Sequence, residues 1–438
     1  MTGGLIQLVS KGAIDNFLTQ QPEITFFKSV FPRHTNFSIE THDDLMTNSI
    51  QFNSVSECKI TKYGDLISDI LLRIELPSLT NSNSIIKSTV CVKGICDCFC
   101  DKCHRNMSNA SFSWVNSIGH VLINYIEIQI GSNIIDRQSG EWFEVWTELS
   151  QTNEKRQGYY EMTGKKEPVN FNINSFNGAM TLFIPLNFWF CRNIGCALPS
   201  ISLYKEDITV RIKWNEFEKC YISNIPSAKP KQLCNFGCVV MVDHVYLDAV
   251  ERDKFIKENQ LYIIDQVQNY ETGYSKSVKH PKVDLSIFHH PIKEIIWVLQ
   301  RNDVGEQDET VLGRDWFNYG INKNRLITTK NGLNETFVSA KLVLNGTERM
   351  KETKSTYFRI VQPYKYHTRV PTNYIYVYSF CLKPEELQPT GSCNFTMFNN
   401  ISLQLSNIQF ITDYTIKIWV TNINVLVISD GMCSLAEV

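Results

Sequence analysis

The sequence predicts an all-β fold: two tandem eight-stranded antiparallel jelly rolls, with short helices in loops and an N-terminal arm. Three observations point there. Apolar and polar residues alternate at period two in many short runs. Turn residues punctuate those runs. One such β pattern occurs twice, half a chain apart. Successive side chains of a strand point to opposite faces, so alternation marks a sheet with one dry face.

The elements follow in chain order. Residues 1–24 read as an arm. Leu5, Val9, Ala13 and Phe17 fall on one helical stripe, Gly3 and Gly4 precede it and Pro22 stops it. This predicts one short amphipathic helix across the first twenty residues, too short to be a domain. From Ile24 onward the signal is β, and the first jelly roll is placed at 25–248. In "YIEIQI", Ile126, Ile128 and Ile130 take one face, with Glu127 and Gln129 on a wetter one. "GEWFEVWTEL" sets Trp142, Val145, Trp146 and Leu149 at helical spacing, so one helix is expected there. The charged "AVERDKFIKEN" starts at 249, and 249–260 reads as the linker. The second jelly roll is placed at 261–438. There "ISLQL" and "TIKIWV" align Ile401, Leu403 and Leu405, then Ile416, Ile418 and Val420. "IGSN" at 130–133 and "LNGT" at 344–347 are hairpin turn signals.

The repeat pairs 183–212 with 376–405. Ile208, Val210 and Ile212 correspond to Ile401, Leu403 and Leu405 at a constant offset of 193. Duplication of one unit is the simplest account. A jelly roll uses about eight strands, and two fit 438 residues with room for long loops.

Composition narrows the function. Charged residues make up 20% and the net charge is −2, which gives no electrostatic reason to bind nucleic acid directly. Apolar runs such as "MTLFIPLNFWF" fall short of the roughly 20 residues a spanning helix needs. The N-terminus lacks the basic and apolar regions of a secretory signal, so a chain made and folded in a cytosol is expected, with its cysteines mostly reduced. There is no phosphate-cradling glycine loop, nucleophile elbow or His-Glu-x-x-His motif, and acidic residues are dispersed. Catalytic residues: none. His289 and His290 adjoin Pro291, and a structural role is expected for them.

The densest group of possible metal ligands is "CVKGICDCFCDKCHRN", Cys91 to Asn106, inside a polar insert at 78–113. Cys100, Cys103 and His104 are close enough in sequence to share one zinc ion with Cys96 or Cys98. Disulfides formed after release into an oxidising medium, or free thiols, are the other readings. No cofactor is otherwise implied.

"GGLIQLVSKGAIDNFLTQQPEITFFKSVFPRHTNFSIE", residues 3–40, closely resembles the start of the major capsid proteins of nucleocytoplasmic large DNA viruses. The likeness continues through "GDLISDILLRIELP" (64–77), "VLINYIEIQIGSNIID" (121–136) and "VDHVYLD" (242–248). It resumes with "STYFRIVQPY" (355–364), "QPTGSCNFT" (388–396) and "INVLVISDGM" (423–432). The resemblance implies tandem jelly rolls, a homotrimer forming a pseudo-hexagonal capsomer, and capsomers tiling an icosahedral virion shell. It implies minor capsid and penton proteins as partners, assembly in the host cytoplasm, and an arm at the inner base near the internal viral membrane. "ITFFK" would be a strand, and the insert would fall between the fourth and fifth strands of the first roll, pointing outward. Leu5, Val9 and Phe17 are then expected to dock the arm on a partner or on the capsomer base. The alternatives are a jelly-roll carbohydrate-binding or fibre-type surface protein and, ranked last because no His-x-His set is present, a cupin-type metalloenzyme.

Overall fold

The structure, a computed structural model, describes residues 2–79, 111–225, 228–230, 235–306, 313–323 and 335–436. It divides into two units, Met1–Phe37 and Ser38–Val438.

In the first unit the expected single helix is two: α1, Gly3–Val9, and α2, Ala13–Thr19. The break has a local cause. Ser10 and Gly12 are weak interior helix residues, and the Asp15 carboxylate accepts from the Gly12 N–H at 3.0 Å, capping a new start. The expected "ITFFK" strand is absent, and among the described residues no strand occurs before Phe37. Its residues suit a strand by propensity, but no neighbouring segment supplies a hydrogen-bond ladder, and Phe26 and Phe27 stand 90% and 98% exposed.

The second unit holds two sandwiches. The strands of the first are β1 (Phe37–Leu45), β2 (Val55–Lys59), β3 (Leu66–Leu76), β4 (Ile123–Ile130), β5 (Asn133–Ser139), β6 (Met180–Pro185), β7 (Ile208–Trp214) and β8 (Gly237–Leu247). Those of the second are β9 (Gln260–Tyr274), β10 (Lys282–Asp284), β11 (Pro291–Arg301), β12 (Ser339–Leu344), β13 (Thr347–Lys354), β14 (Tyr376–Ser379), β15 (Ile401–Ser406) and β16 (Tyr414–Ser429). The first sandwich has sheets ordered β1-β8-β3-β6 and β2-β7-β4-β5; the second has β9-β16-β11-β14 and β10-β15-β12-β13, with the short strands Cys393–Asn394 and Met432–Leu435 added to β11 and β16, and a separate short pair joins Phe112–Trp114 to Tyr221–Ser223. Adding eight to each strand number of the first pair gives the second. The two β patterns seen in the sequence are therefore one topology used twice, and the matched triplets are β7 and β15.

The alternation does what it predicts. Ile126, Ile128 and Ile130 are fully buried, as are Ile208, Val210 and Ile212, and Ile401, Leu403 and Leu405 are within 2% of it. The "LNGT" hairpin turns on Asn345 and Gly346, at φ 46° and 83°, the paired left-handed conformation that matches strand twist. Two details differ. Glu127, expected on a wetter face, is 1% exposed. Arg137 Nε at 2.6 Å and Arg211 Nη1 at 3.1 Å hold its carboxylate on the sheet. The 78–113 insert follows the third strand, not the fourth, because "ITFFK" is not a strand.

Helices fill the connections. The expected one is α3, Gly140–Ser150, directly after β5. A second, α4, Asn153–Thr163, follows. It is mostly polar, buries little besides Tyr160 and Thr163, and so leaves almost no periodic signal. The 249–260 segment carries α5, Ala249–Lys257, N-capped by Asp248. A helical stretch, Tyr357–Val361 continuing into α6 (Gln362–Tyr366), comes shortly after β13. Among the described residues no helix is long and apolar enough to cross a membrane.

Candidate functional site

The junction between the two sandwiches of the second unit is built on α3. The Ser139 hydroxyl accepts from the Trp142 N–H at 3.1 Å and fixes the helix start. Gly140 has no room for a side chain: a Cβ there would lie 2.1 Å from the His120 carbonyl oxygen. Trp142, Val145, Trp146 and Leu149 are buried in an apolar core shared by both sandwiches, which also takes in Ile296, Val298 and Trp419. The neighbours Ile295, Trp297 and Leu299 belong to the second sandwich's own core. Strand β11 is thus buried on both faces, which is why "IIWVL" reads as a continuous apolar run.

Along α3, Glu141, Glu144 and Glu148 form a polar edge that is drawn into the junction. Lys165 Nζ lies 2.6 Å from both Glu144 and Glu148. His120 Nδ1 is 2.8 Å from Glu144 Oε2, and its Nε2 is 3.0 Å from the Tyr159 hydroxyl. Arg369 of the second sandwich reaches Glu148 at 3.1 Å and donates its backbone N–H to the Leu149 carbonyl at 2.9 Å. Lys417 pairs with Glu141. Burial pushes the Glu144 and Glu148 carboxyls up, but Lys165 together with His120 at Glu144 and Arg369 at Glu148 outweighs it, and both end below the usual range. Burial likewise lowers Lys165, and the two glutamates more than reverse that.

A second buried set lies beside it. Asp265 Oδ2 accepts from Arg192 of the first sandwich and from Lys293 of the second, each at 2.8 Å. Next to Lys293, Glu294 is 2.9 Å from His367 Nε2, while Glu385 is 3.0 Å from His367 Nδ1. The Glu294 contact is close without hydrogen-bond alignment, so charge attraction rather than a directed bond holds it. Burial lowers His367, Glu294 and Glu385 together more than reverse that, and it rests at about 9. Strand β9 adds main-chain ties: the Val267 N–H donates to Asp136 at 3.0 Å, and the Gln266 amide donates to the Ile135 carbonyl on β5. Buried charges that are mutually paired fix geometry, and losing one partner is costly. The arrangement is chemically a clamp.

Sequence reasoning missed these residues. The available signal was a Lys-Glu pair inside the apolar run of β11 and two glutamates four apart on a tryptophan-rich helix. Of the expected site residues, Leu5 and Val9 share α1 and Phe17 sits on α2, so the stripe is interrupted. They are 52%, 79% and 84% exposed. Cys96, Cys98, Cys100, Cys103 and His104 lie outside the described residues. Among the described residues no three His, Cys, Asp or Glu side chains are placed to hold a metal. The eight described cysteines are free thiols, and burial pushes those of Cys58 and Cys220 up to about 12, so they act as small apolar groups. His289 and His290 lie at the turn into β11, where His290 takes φ 72°.

Comparison with known proteins agrees with this architecture. Residues 25–248 match the family model "Major capsid protein N-terminus", and 251–434 match "Large eukaryotic DNA virus major capsid protein". The chain is 33% identical to a major capsid protein of Pyramimonas orientalis virus, covering 100% of this chain and 99% of that one. It is 29% identical to that of Paramecium bursaria Chlorella virus 1, again over 100% and 99%. The fold matches a quasi-atomic model of the PBCV-1 virus capsid with a TM-score of 0.73 at 25% identity, over 94% of this chain and 100% of that one. The duplicated sandwich, the match to both family models and the end-to-end likeness converge: this chain belongs to the major capsid protein family of large eukaryotic DNA viruses, and its role is structural, in the virion shell.

Proposed function

We propose that three copies associate into a pseudo-hexagonal capsomer, and that these capsomers tile an icosahedral shell. One observation carries the reading: the same eight-strand topology occurs twice in one chain. Six similar sandwiches in three chains supply six similar sides, the outline that tiles a surface. Contacts within such a ring are heterologous, each subunit presenting one patch to a different patch on the next. The native mass of purified protein tests this. About three times 50.6 kDa is expected, and a stable monomer would overturn it.

The finer roles are proposals on the same footing. The chain is read as arm 1–24, first jelly roll 25–248, linker 249–260 and second jelly roll 261–438. Leu5, Val9 and Phe17 present an apolar surface for a minor capsid protein or the capsomer base, near the internal viral membrane. Penton proteins fill the shell vertices, and assembly takes place in the host cytoplasm. In the 78–113 insert, Cys96, Cys98, Cys100, Cys103 and His104 are a candidate zinc set. Elemental analysis of purified protein should find close to one zinc per chain. A content below about half an ion would remove the site.

A further inference from the structure

The two sandwiches are alike in topology but not in what covers them, and the difference identifies a subunit contact. In the second sandwich, the outer face of sheet β9-β16-β11-β14 is closed. The row Val377, Ile296 and Trp419 across β14, β11 and β16 is buried at 0%, 0% and 2% exposure. What closes it is the first sandwich, through β5 and through α3, the helix that follows β5. In the first sandwich, the equivalent row across β6, β3 and β8 is Phe183, Arg73 and Val239. Phe183 and Val239 are half-buried there, as are Leu71 and Met241 on the same face. On the edge strand β1, Ile39 is 46% exposed. Among the described residues nothing covers this face as α3 covers its counterpart.

The other half of the contact is also in the chain, unused. The counterpart of β5 is β13, an open edge strand, and the helical stretch 357–366 follows β13 as α3 follows β5. Where α3 buries its tryptophans, this stretch leaves Ile360 and Tyr364, four residues apart, 39% and 78% exposed. We propose that the stretch Tyr357–Tyr366 of one copy packs on the outer face of sheet β1-β8-β3-β6 of a second copy. It repeats between chains the packing of α3 on the second sandwich. The proposal rests on the trimeric reading and specifies its interface.

Charge supports the pairing and gives it direction. Within the chain, an acidic helix edge (Glu141, Glu148) meets basic partners, Lys417 and Arg369. Between chains the signs are exchanged. The stretch Tyr357–Tyr366 carries Arg359 and Lys365 and no acid, while the receiving face carries Asp43, Glu75 and Asp243. Arg359 is largely buried against Glu335 at 2.7 Å, so Lys365 is the exposed charge of the stretch, and Asp43 is paired with Arg73 at 2.9 Å, which leaves Glu75 and Asp243 to keep the receiving face acidic. Opposite polarity at the two kinds of junction disfavours exchanging one for the other, so first and second sandwiches alternate around the ring.

The test uses full-length protein. In a background with Cys191, Cys196, Cys234, Cys393 and the cysteines of the 78–113 insert changed to serine, Val239→Cys and Ile360→Cys together, treated with a short bis-maleimide, should give a covalent trimer on a denaturing gel, and neither single variant should. Ile360→Glu, which puts a carboxylate against the acidic face, should weaken association about a hundredfold while circular dichroism and the thermal midpoint of the subunit hold. A trimeric native mass without the double-variant cross-link overturns this interface and spares the trimeric reading. A cross-link in Val239→Cys alone means a symmetric contact and overturns it too. A monomeric wild-type mass overturns both.

Discussion

Helix α3 and the N-terminal arm begin from similar sequence patterns and end in opposite environments. Both place apolar residues at helical spacing. In α3, Trp142 and Leu149 are buried, and in the arm Val9 and Phe17 are mostly exposed. The contrast shows what amphipathic periodicity encodes: that a face is to be covered, not what covers it. Covering α3 is part of folding the chain; covering the arm needs something more. The energetic consequences should separate accordingly, stability at α3 and association at the arm.

The strongest test of that contrast is at the clamp. Lys165→Met leaves Glu144 and Glu148 buried with one partner fewer each. It should cost about 3–5 kcal/mol of stability by denaturant unfolding. Trp146→Ala removes a core aromatic that is 6% exposed and should cost a similar ~3–5 kcal/mol. If either variant melted like wild type, the junction would not be part of the cooperative fold.

A smaller effect comes from His367. Its folded value of about 9 is above its ordinary 6.5, so the protonated imidazolium is favoured in the folded chain. This stabilisation is fully present below pH 6.5 and disappears as pH rises through 9, a change on the order of 1–3 kcal/mol. Thermal melts from pH 6 to pH 10 should show the loss, and His367→Gln should flatten the profile.

The smallest effect on stability, and the largest on assembly, belongs to the arm. Phe17→Ala should change the melting of the subunit by less than about 0.5 kcal/mol. Deleting residues 1–20 should leave the native mass trimeric yet prevent closed shells, as seen by electron microscopy. Normal particles from the deletion would show that the arm's exposed face has no part in building the shell.

These contrasts also explain what the sequence made legible. Strands with one dry face announced themselves, because Ile126, Ile128, Ile130 and their counterparts Leu342 and Leu344 must alternate to line a core. The duplication was legible for the same reason. The clamp was not. Glu144 and Glu148 sit four apart on a helix, a spacing shared with ordinary solvated faces, and only the arrival of Lys165, His120 and Arg369 makes them structural. "ITFFK" misled in the opposite direction: its propensity is that of a strand, but a strand exists only where a partner accepts its hydrogen bonds. Ser10 and Gly12 broke a helix whose apolar stripe ran straight through them, because periodicity says nothing of backbone cost.

The pairing of β9 with β16 has a consequence for biosynthesis. Gln260 stands opposite Ile428, and the register runs without interruption to Tyr274 and Tyr414. The opening strand of the second sandwich therefore waits for its closing strand while the intervening loops are made. The same holds over a comparable span for β3, which must await β8. Such distant partners make for slow closure, and domains emerge from the ribosome in order. The earlier sandwich is complete first and offers α3 as a finished platform, so the later one matures against a template, and nascent chains stay incompetent to join one another until that late step.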